Sequence, residues 1–140
     1  MNFLVIDASV ALAWALADED SPLANHVMAR MGETVFQVPG HWHLEVMNSL
    51  LTAERRGRIE PEGTAFAVHL FQQIDMLIDP WTSSHAMGTS YFLAAKHRLT
   101  LYDAAYLELA LRLGHPFATL DQKLAKAAEE EGVAVVKIES

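Results

Sequence analysis

An α/β fold is predicted for this chain, a central parallel sheet covered by helices in a three-layer α/β/α arrangement. Two observations predict it. Short apolar runs alternate with longer segments of helical period along the whole chain. The runs, "NFLVI" first among them, are apolar on both faces, as strands covered on both sides must be. The chain of 140 residues has the length of one domain, residues 1–140, and can bury a real core.

Each element has its own signal. "NFLVID" opens as a strand, and "ASVALAWALADE" is helical with Ser9 near its start. Pro22 stands at the start of a helix over 22–31 that Gly32 stops. "TVFQV", residues 34–38, is a second strand. A long helix runs from about Gly40 to Arg56 and is closed by Gly57. Pro61 opens another over 61–75, and "MLIDP" is a short apolar stretch ended by Pro80. Helices over 83–97 and 103–113 follow, the second closed by Gly114. "PFATL", 116–120, is a strand, Asp121 can cap the helix after it, and "VAVVKI", 133–138, is the last strand. No linker, repeat or low-complexity tract interrupts this order.

Composition narrows the function. Eighteen acids against 10 Lys and Arg give a net charge of -8, which argues against a binder that holds nucleic acid by charge alone. A metal-dependent nuclease with its acids gathered in the site stays open. No cysteine is present, which excludes disulfides and thiolate metal sites. The first twenty residues lack a basic leader, and Asp7 interrupts their apolar run, so neither a signal peptide nor a membrane span is expected. The expectation is a soluble cytoplasmic protein. A hydrophobic content of 51% hints at apolar surface reserved for a partner.

Four acids stand out. Ligands of parallel sheets bind beyond the carboxyl ends of the strands. Asp7 ends "FLVI" and Asp121 follows "FATL", where it could equally be a helix N-cap. Glu45 shares a helix side with Asn48, Ser49, Thr52 and Arg56, opposite Met47, Leu50 and Leu51, and alone it reads as solvated. Asp103 falls on the apolar side of "TLYDAAYLELA", with Tyr106, Leu107 and Ala110, while Leu101, Ala105, Glu108 and Arg112 form the outer side. It is either half of a buried salt bridge or a ligand. Four carboxylates meeting at one sheet end raise each other's pKa, and a hard divalent cation removes that penalty.

The motifs "VIDASV", "LEVMNSLL", "LTLYDAAYLELA" and "FATLDQKLAKAA" together resemble those of PIN-domain proteins, specifically the VapC toxins of type II toxin–antitoxin pairs. The resemblance covers Asn2 to about Ile138. It places the family's acidic quartet on Asp7, Glu45, Asp103 and Asp121, and its supporting polar positions on Ser9, Asn48 and Thr119. It implies a PIN-like fold and an endoribonuclease dependent on Mg²⁺ or Mn²⁺. The implied partners are RNA, a VapB-like antitoxin and a second copy in a homodimer. On this reading Asp7, Glu45 and Asp103 hold the principal ion, and Asp121 serves a second ion or the attacking water.

Other signals carry less. His41 and His43 are two apart on a helix, do not share a face, and read as surface or interface residues. Arg55, Arg56 and Arg58, and then Lys96, His97 and Arg98, form the basic clusters. Both fit either helix-end charges or contacts to RNA phosphates. Trp14 and Trp42 lie in apolar helical stretches and read as core. Two other classes compete: a phospho-acceptor signalling domain and a protein-binding module without catalysis. The first needs an acceptor Asp after its central strand, and "FQVPGH" has none.

Overall fold

A computed structural model describes residues 2–138. Its core is a four-stranded parallel sheet built from β1 (Asn2–Ile6), β2 (Thr34–Val38), β3 (Met76–Ile78) and β4 (Phe117–Ala118), in the order β3-β2-β1-β4. β1 pairs Asn2 with Thr34 and Val5 with Gln37 on one side, and Val5 with Phe117 on the other. Leu4, Val5, Ile6, Phe36, Val38 and Phe117 are fully buried, as a sheet covered on both faces requires.

The helices gather in two groups. α1 (Ala8–Ala15) packs on α2 (Pro22–Met28), α3 (Trp42–Arg55) and α4 (Pro61–Gln72). α7 (Leu101–Leu113) packs on α5 (Thr82–Ala86), α6 (Thr89–His97) and α8 (Gln122–Glu130). The three-layer PIN-like fold expected from the sequence is therefore present. Among the described residues no helix is long and apolar enough to cross a membrane. Ser21 caps α2 ahead of Pro22, and Gly114, at φ 69°, closes α7 in the left-handed region that glycine reaches without a Cβ penalty.

Several boundaries and faces depart from expectation. The single helix over 83–97 is two, because Gly88 leaves helical geometry between α5 and α6. The strand over 116–120 shortens to Phe117–Ala118, since Thr119 turns away to bond Asp7. Residues 133–138 form no strand. They run beside β4 through one bridge, Phe117 to Val135, with Phe117 N–H donating to the Ala134 carbonyl and Val136 N–H to that of Phe117.

The buried stripe of α3 is Trp42, Val46, Leu50 and Ala53, whereas Met47 and Leu51, placed opposite Glu45 with Leu50, are exposed. Trp42 is core as expected, and Trp14 is half-buried with its indole N–H bonded to the Ala24 carbonyl. The supposed outer side of α7 is largely interior. Every residue from Ala104 to Ala110 is buried, and Glu108 is only 4% exposed. Its charge is answered by Arg112, whose Nε donates to Oε2 at 2.7 Å and whose Nη2 reaches Asp79 Oδ2 at 2.6 Å. An ion network therefore ties α7 to the turn after β3.

Candidate metal and acid site

The chain runs from β1 outward through β2 to β3, then crosses to β4 on the other side of β1. The crevice between the carboxyl ends of β1 and β4 is thus the topological switch point, where open parallel sheets bind ligands. Asp7 lies there. It follows Ile6 directly and serves as the N-cap of α1, accepting from Val10 N–H at 3.3 Å. Its Oδ1 also accepts from Ser9 Oγ at 2.6 Å, and its Oδ2 accepts from Thr119 Oγ1. Ser9 Oγ in turn accepts from Leu120 N–H at 2.9 Å, which fastens the β4 exit to the β1 exit. Two of the three supporting residues expected from the sequence, Ser9 and Thr119, therefore orient Asp7. Asn48 instead stands exposed one turn beyond Glu45 and lines a cavity of about 410 Å³ with His41, Leu44, Glu45 and Tyr102.

The other acids arrive from three elements. Glu45, in the first turn of α3, accepts from the Tyr106 hydroxyl at 2.5 Å. Asp103 sits in the first turn of α7, which Thr100 caps by accepting from the Asp103 N–H at 3.1 Å. It is half-buried rather than interior. Asp121 is exposed and is the N-cap of α8, accepting from Leu124 N–H at 3.1 Å, so its alternative reading as a cap also holds.

The acids feel one another. Burial pushes Asp7 up to about 6, against hydrogen bonds from Ser9, Thr119 and Val10 that lower it, and Glu45 adds to the rise. Burial likewise raises Asp103, with Asp121 and then Glu45 adding to it. Burial and the bond to Glu45 keep the Tyr106 hydroxyl protonated, so it is a fixed donor.

Sequence reasoning missed His41 and Tyr106. His41 is half-buried rather than a surface residue. Its Nε2 is 3.9 Å from Glu45 Oε1, and its ring packs on Tyr106 at 5.1 Å and on Tyr102 at 5.7 Å. Burial lowers its pKa although Glu45 opposes this, which favours the neutral ring. Helical spacing was the available signal: His41 precedes Glu45 by four residues and Tyr106 follows Asp103 by three.

The chemistry of the donors suits a hard divalent cation: carboxylates, no thiol, and a charge penalty that such an ion would relieve. Asp7 Oδ2 accepts one hydrogen bond and retains a lone pair. Among the described residues no three acidic or histidine side chains stand close enough to hold one ion as they are placed. Metal binding therefore requires side-chain adjustment, most simply of Glu45 and Asp103, which are less enclosed than Asp7.

The basic residues divide. Arg55 and Arg56 are exposed at the far end of α3, about 15 Å along the helix from Glu45. Arg58 is held by Asp18 at 3.0 Å and Glu19 at 3.0 Å. Lys96 and Arg98 lie at the end of α6, close in sequence to the Thr100 cap.

Asp7 makes a pH prediction. Its folded pKa of about 6 exceeds the ordinary 3.8, so folding favours its protonated form. Its contribution is complete below about pH 4 and is lost as pH rises through 6, by at most about 3 kcal/mol. Thermal melts of metal-free protein from pH 4.5 to 7.5 are expected to show Asp7→Asn gaining on wild type as pH rises. A constant difference between the two would contradict the assigned shift.

No family model matches the chain. The chain is 32% identical over 126 residues to Ribonuclease VapC12 of Mycobacterium tuberculosis, covering 89% of this chain and 91% of that protein. It is 28% identical over 124 residues to Ribonuclease VapC3 of Pyrobaculum aerophilum, covering 88% and 92%. Among solved structures, PAE2754 from Pyrobaculum aerophilum superposes with a TM-score of 0.70 at 20% identity, covering 96% of this chain and 89% of that one. VapBC2 from Rickettsia felis, bound to a DNA fragment from its promoter, gives 0.66 at 8% identity, covering 98% and 99%. These two likenesses carry the fold.

Proposed function

The chain belongs to the VapC family of PIN-domain ribonucleases, and from that premise we propose that it is the toxin of a toxin–antitoxin pair, acting as one domain over residues 1–140. Its activity is endonucleolytic hydrolysis of RNA, dependent on Mg²⁺ or Mn²⁺. The observation that supports this reading is that the four acids influence one another, Glu45 raising Asp7, and Asp121 and Glu45 raising Asp103.

When bound, the ion lowers the pKa of water and neutralises charge on the phosphate and leaving oxygens. Asp7, Glu45 and Asp103 would hold it. Ser9, Thr119 and the Val10 N–H fix Asp7, and Tyr106 donates to Glu45, which with Asp103 would turn to meet the ion. Asp121, exposed at the mouth, orients the attacking water or takes its proton. The partner is a VapB-like antitoxin, and the toxin works as a homodimer. An antitoxin arginine placed among the four carboxylates neutralises them in place of the ion.

The test is cleavage of a mixed RNA pool by purified protein. Cleavage is expected with Mn²⁺ or Mg²⁺, to vanish in EDTA and to return when the ion is restored. Cleavage that persists in EDTA overturns the metal dependence, and no cleavage with either ion overturns the ribonuclease reading.

A further inference from the structure

Four of the ten Lys and Arg residues of this acidic chain, Lys96, Arg98, Lys123 and Lys126, converge on one cavity of about 300 Å³ between the end of α6 and the length of α8. Elsewhere Arg58, Arg112 and Lys137 are held by carboxylates. Here Lys96 is held by Glu131 at 2.7 Å, and His97 lies between Glu130 and Glu131. Glu130 also lines the cavity. Arg98, Lys123 and Lys126 are exposed and have no carboxylate partner among the described residues.

Two of these cations sit where local rules disfavour them. Arg98 ends α6 at φ 56°, and among the described residues no other non-glycine residue has a positive φ. Glycine or asparagine reaches that region more readily. Lys123 lies in the first turn of α8, which holds no acid, although the positive end of the helix dipole disfavours a cation there. Its Nζ donates to the Arg98 carbonyl at 2.5 Å, so the two exceptions are joined. Local rules broken together, without a compensating contact to a carboxylate, mark a functional surface.

Two of these cations are close in sequence to residues of the acid site. Arg98 precedes by two residues the Thr100 that caps the helix of Asp103, and Lys123 follows Asp121 by two. We propose that the RNA backbone on one side of the scissile bond runs over Arg98, Lys123 and Lys126, which contact its phosphates. This rests on the ribonuclease reading for the identity of the strand. It also answers how a chain of charge -8 holds a polyanion: three cations without a carboxylate partner share one cavity.

The test uses full-length protein in Mg²⁺ on an Asp103→Asn background, with a fluorescent single-stranded RNA. The combined Arg98→Asn, Lys123→Gln, Lys126→Gln variant is expected to bind about tenfold more weakly at 0.1 M KCl. The slope of log affinity against log KCl should fall by about 2, near 0.7 for each lost phosphate contact. Arg98→Asn alone is expected to weaken binding while raising Tm, because asparagine suits the left-handed cap. Arg55→Gln with Arg56→Gln should leave the slope unchanged. An unchanged slope in the triple variant, or a slope lost with Arg55 and Arg56, overturns the proposal. Polyglutamate competing as well as RNA overturns it in favour of an acidic protein partner. No RNA binding at all overturns this proposal, and cleavage by the wild type decides the ribonuclease reading separately. Binding with the expected slope, in a wild type that cleaves nothing, overturns only the latter.

Discussion

Asp103→Asn is expected to lower RNA cleavage by about 10³-fold or more with the fold intact. The substitution keeps the size and the half-buried place of the side chain in the first turn of α7. It removes the charge that Asp121 and Glu45 oppose and that a divalent ion needs. Because repulsion goes with it, metal-free Asp103→Asn is expected to melt at or above the wild-type temperature. Changes at Asp7, Glu45 and Asp121 should lower cleavage as well, and double variants should be hardly worse than the worst single one, since on the proposed reading all four serve one reaction centre. Single-turnover cleavage measures this directly. Wild-type rates in Asp103→Asn, or losses that add, would remove the quartet as a unit.

Arg112→Met is expected to destabilise the protein by about 3–5 kcal/mol without touching the acid site. Arg112 is the cation shared by Glu108 and Asp79, whose side chains are 5% and 7% exposed. Removing it leaves two enclosed carboxylates without their counter-charge, and apolar substitution supplies no hydrogen bond. The pH dependence has a defined sign. Burial raises Asp79, but hydrogen bonds from Arg112, the Trp81 N–H and Thr82 outweigh it and hold the carboxyl below its ordinary range. That contribution is present above about pH 4 and is lost as pH falls through the lowered folded value. The deficit of Arg112→Met should therefore shrink toward pH 4, where its Asp79 takes up a proton. Adding Asp79→Asn and Glu108→Gln should recover stability relative to Arg112→Met alone. Denaturant unfolding checks both points, and a loss below about 1 kcal/mol, as for a solvated pair, would contradict the network.

Much of this architecture could be read in the sequence because strands covered on both faces leave apolar runs that nothing else explains. "FLVI" and "VFQV" are such runs, and β1 and β2 lie where they fall. Helix faces were harder. The outer side assigned to α7 assumed that charge means solvent, but Glu108 is charged and buried because Arg112 comes with it one turn later. In α3 the error ran the other way, since Leu44, Met47 and Leu51 are apolar and exposed. The last segment failed as a strand for a different reason: β pairing depends on a partner's length, and β4 has two residues. In the site, the acids at strand ends declared themselves by interrupting apolar runs. Tyr106 did not, because an aromatic side chain on an apolar helix side looks like packing until the atom beside its hydroxyl is known, and His41 did not, because it read as a surface residue.

The bond from Thr119 to Asp7 joins residues 112 apart in sequence, and β1 finds β4 only across the same separation. Closing so long a segment is slow compared with forming the local helix pairs, so the junction between the two exits is among the last parts of the molecule to assemble. A chain being synthesised can build α1 to α4 on β1 and β2 while possessing only half of the acids. The chemistry proposed for the four acids is thus postponed by topology. Until β4 and α8 have emerged and docked, Asp7 has no Thr119 to orient it and the chain has no Asp121 to complete the four acids.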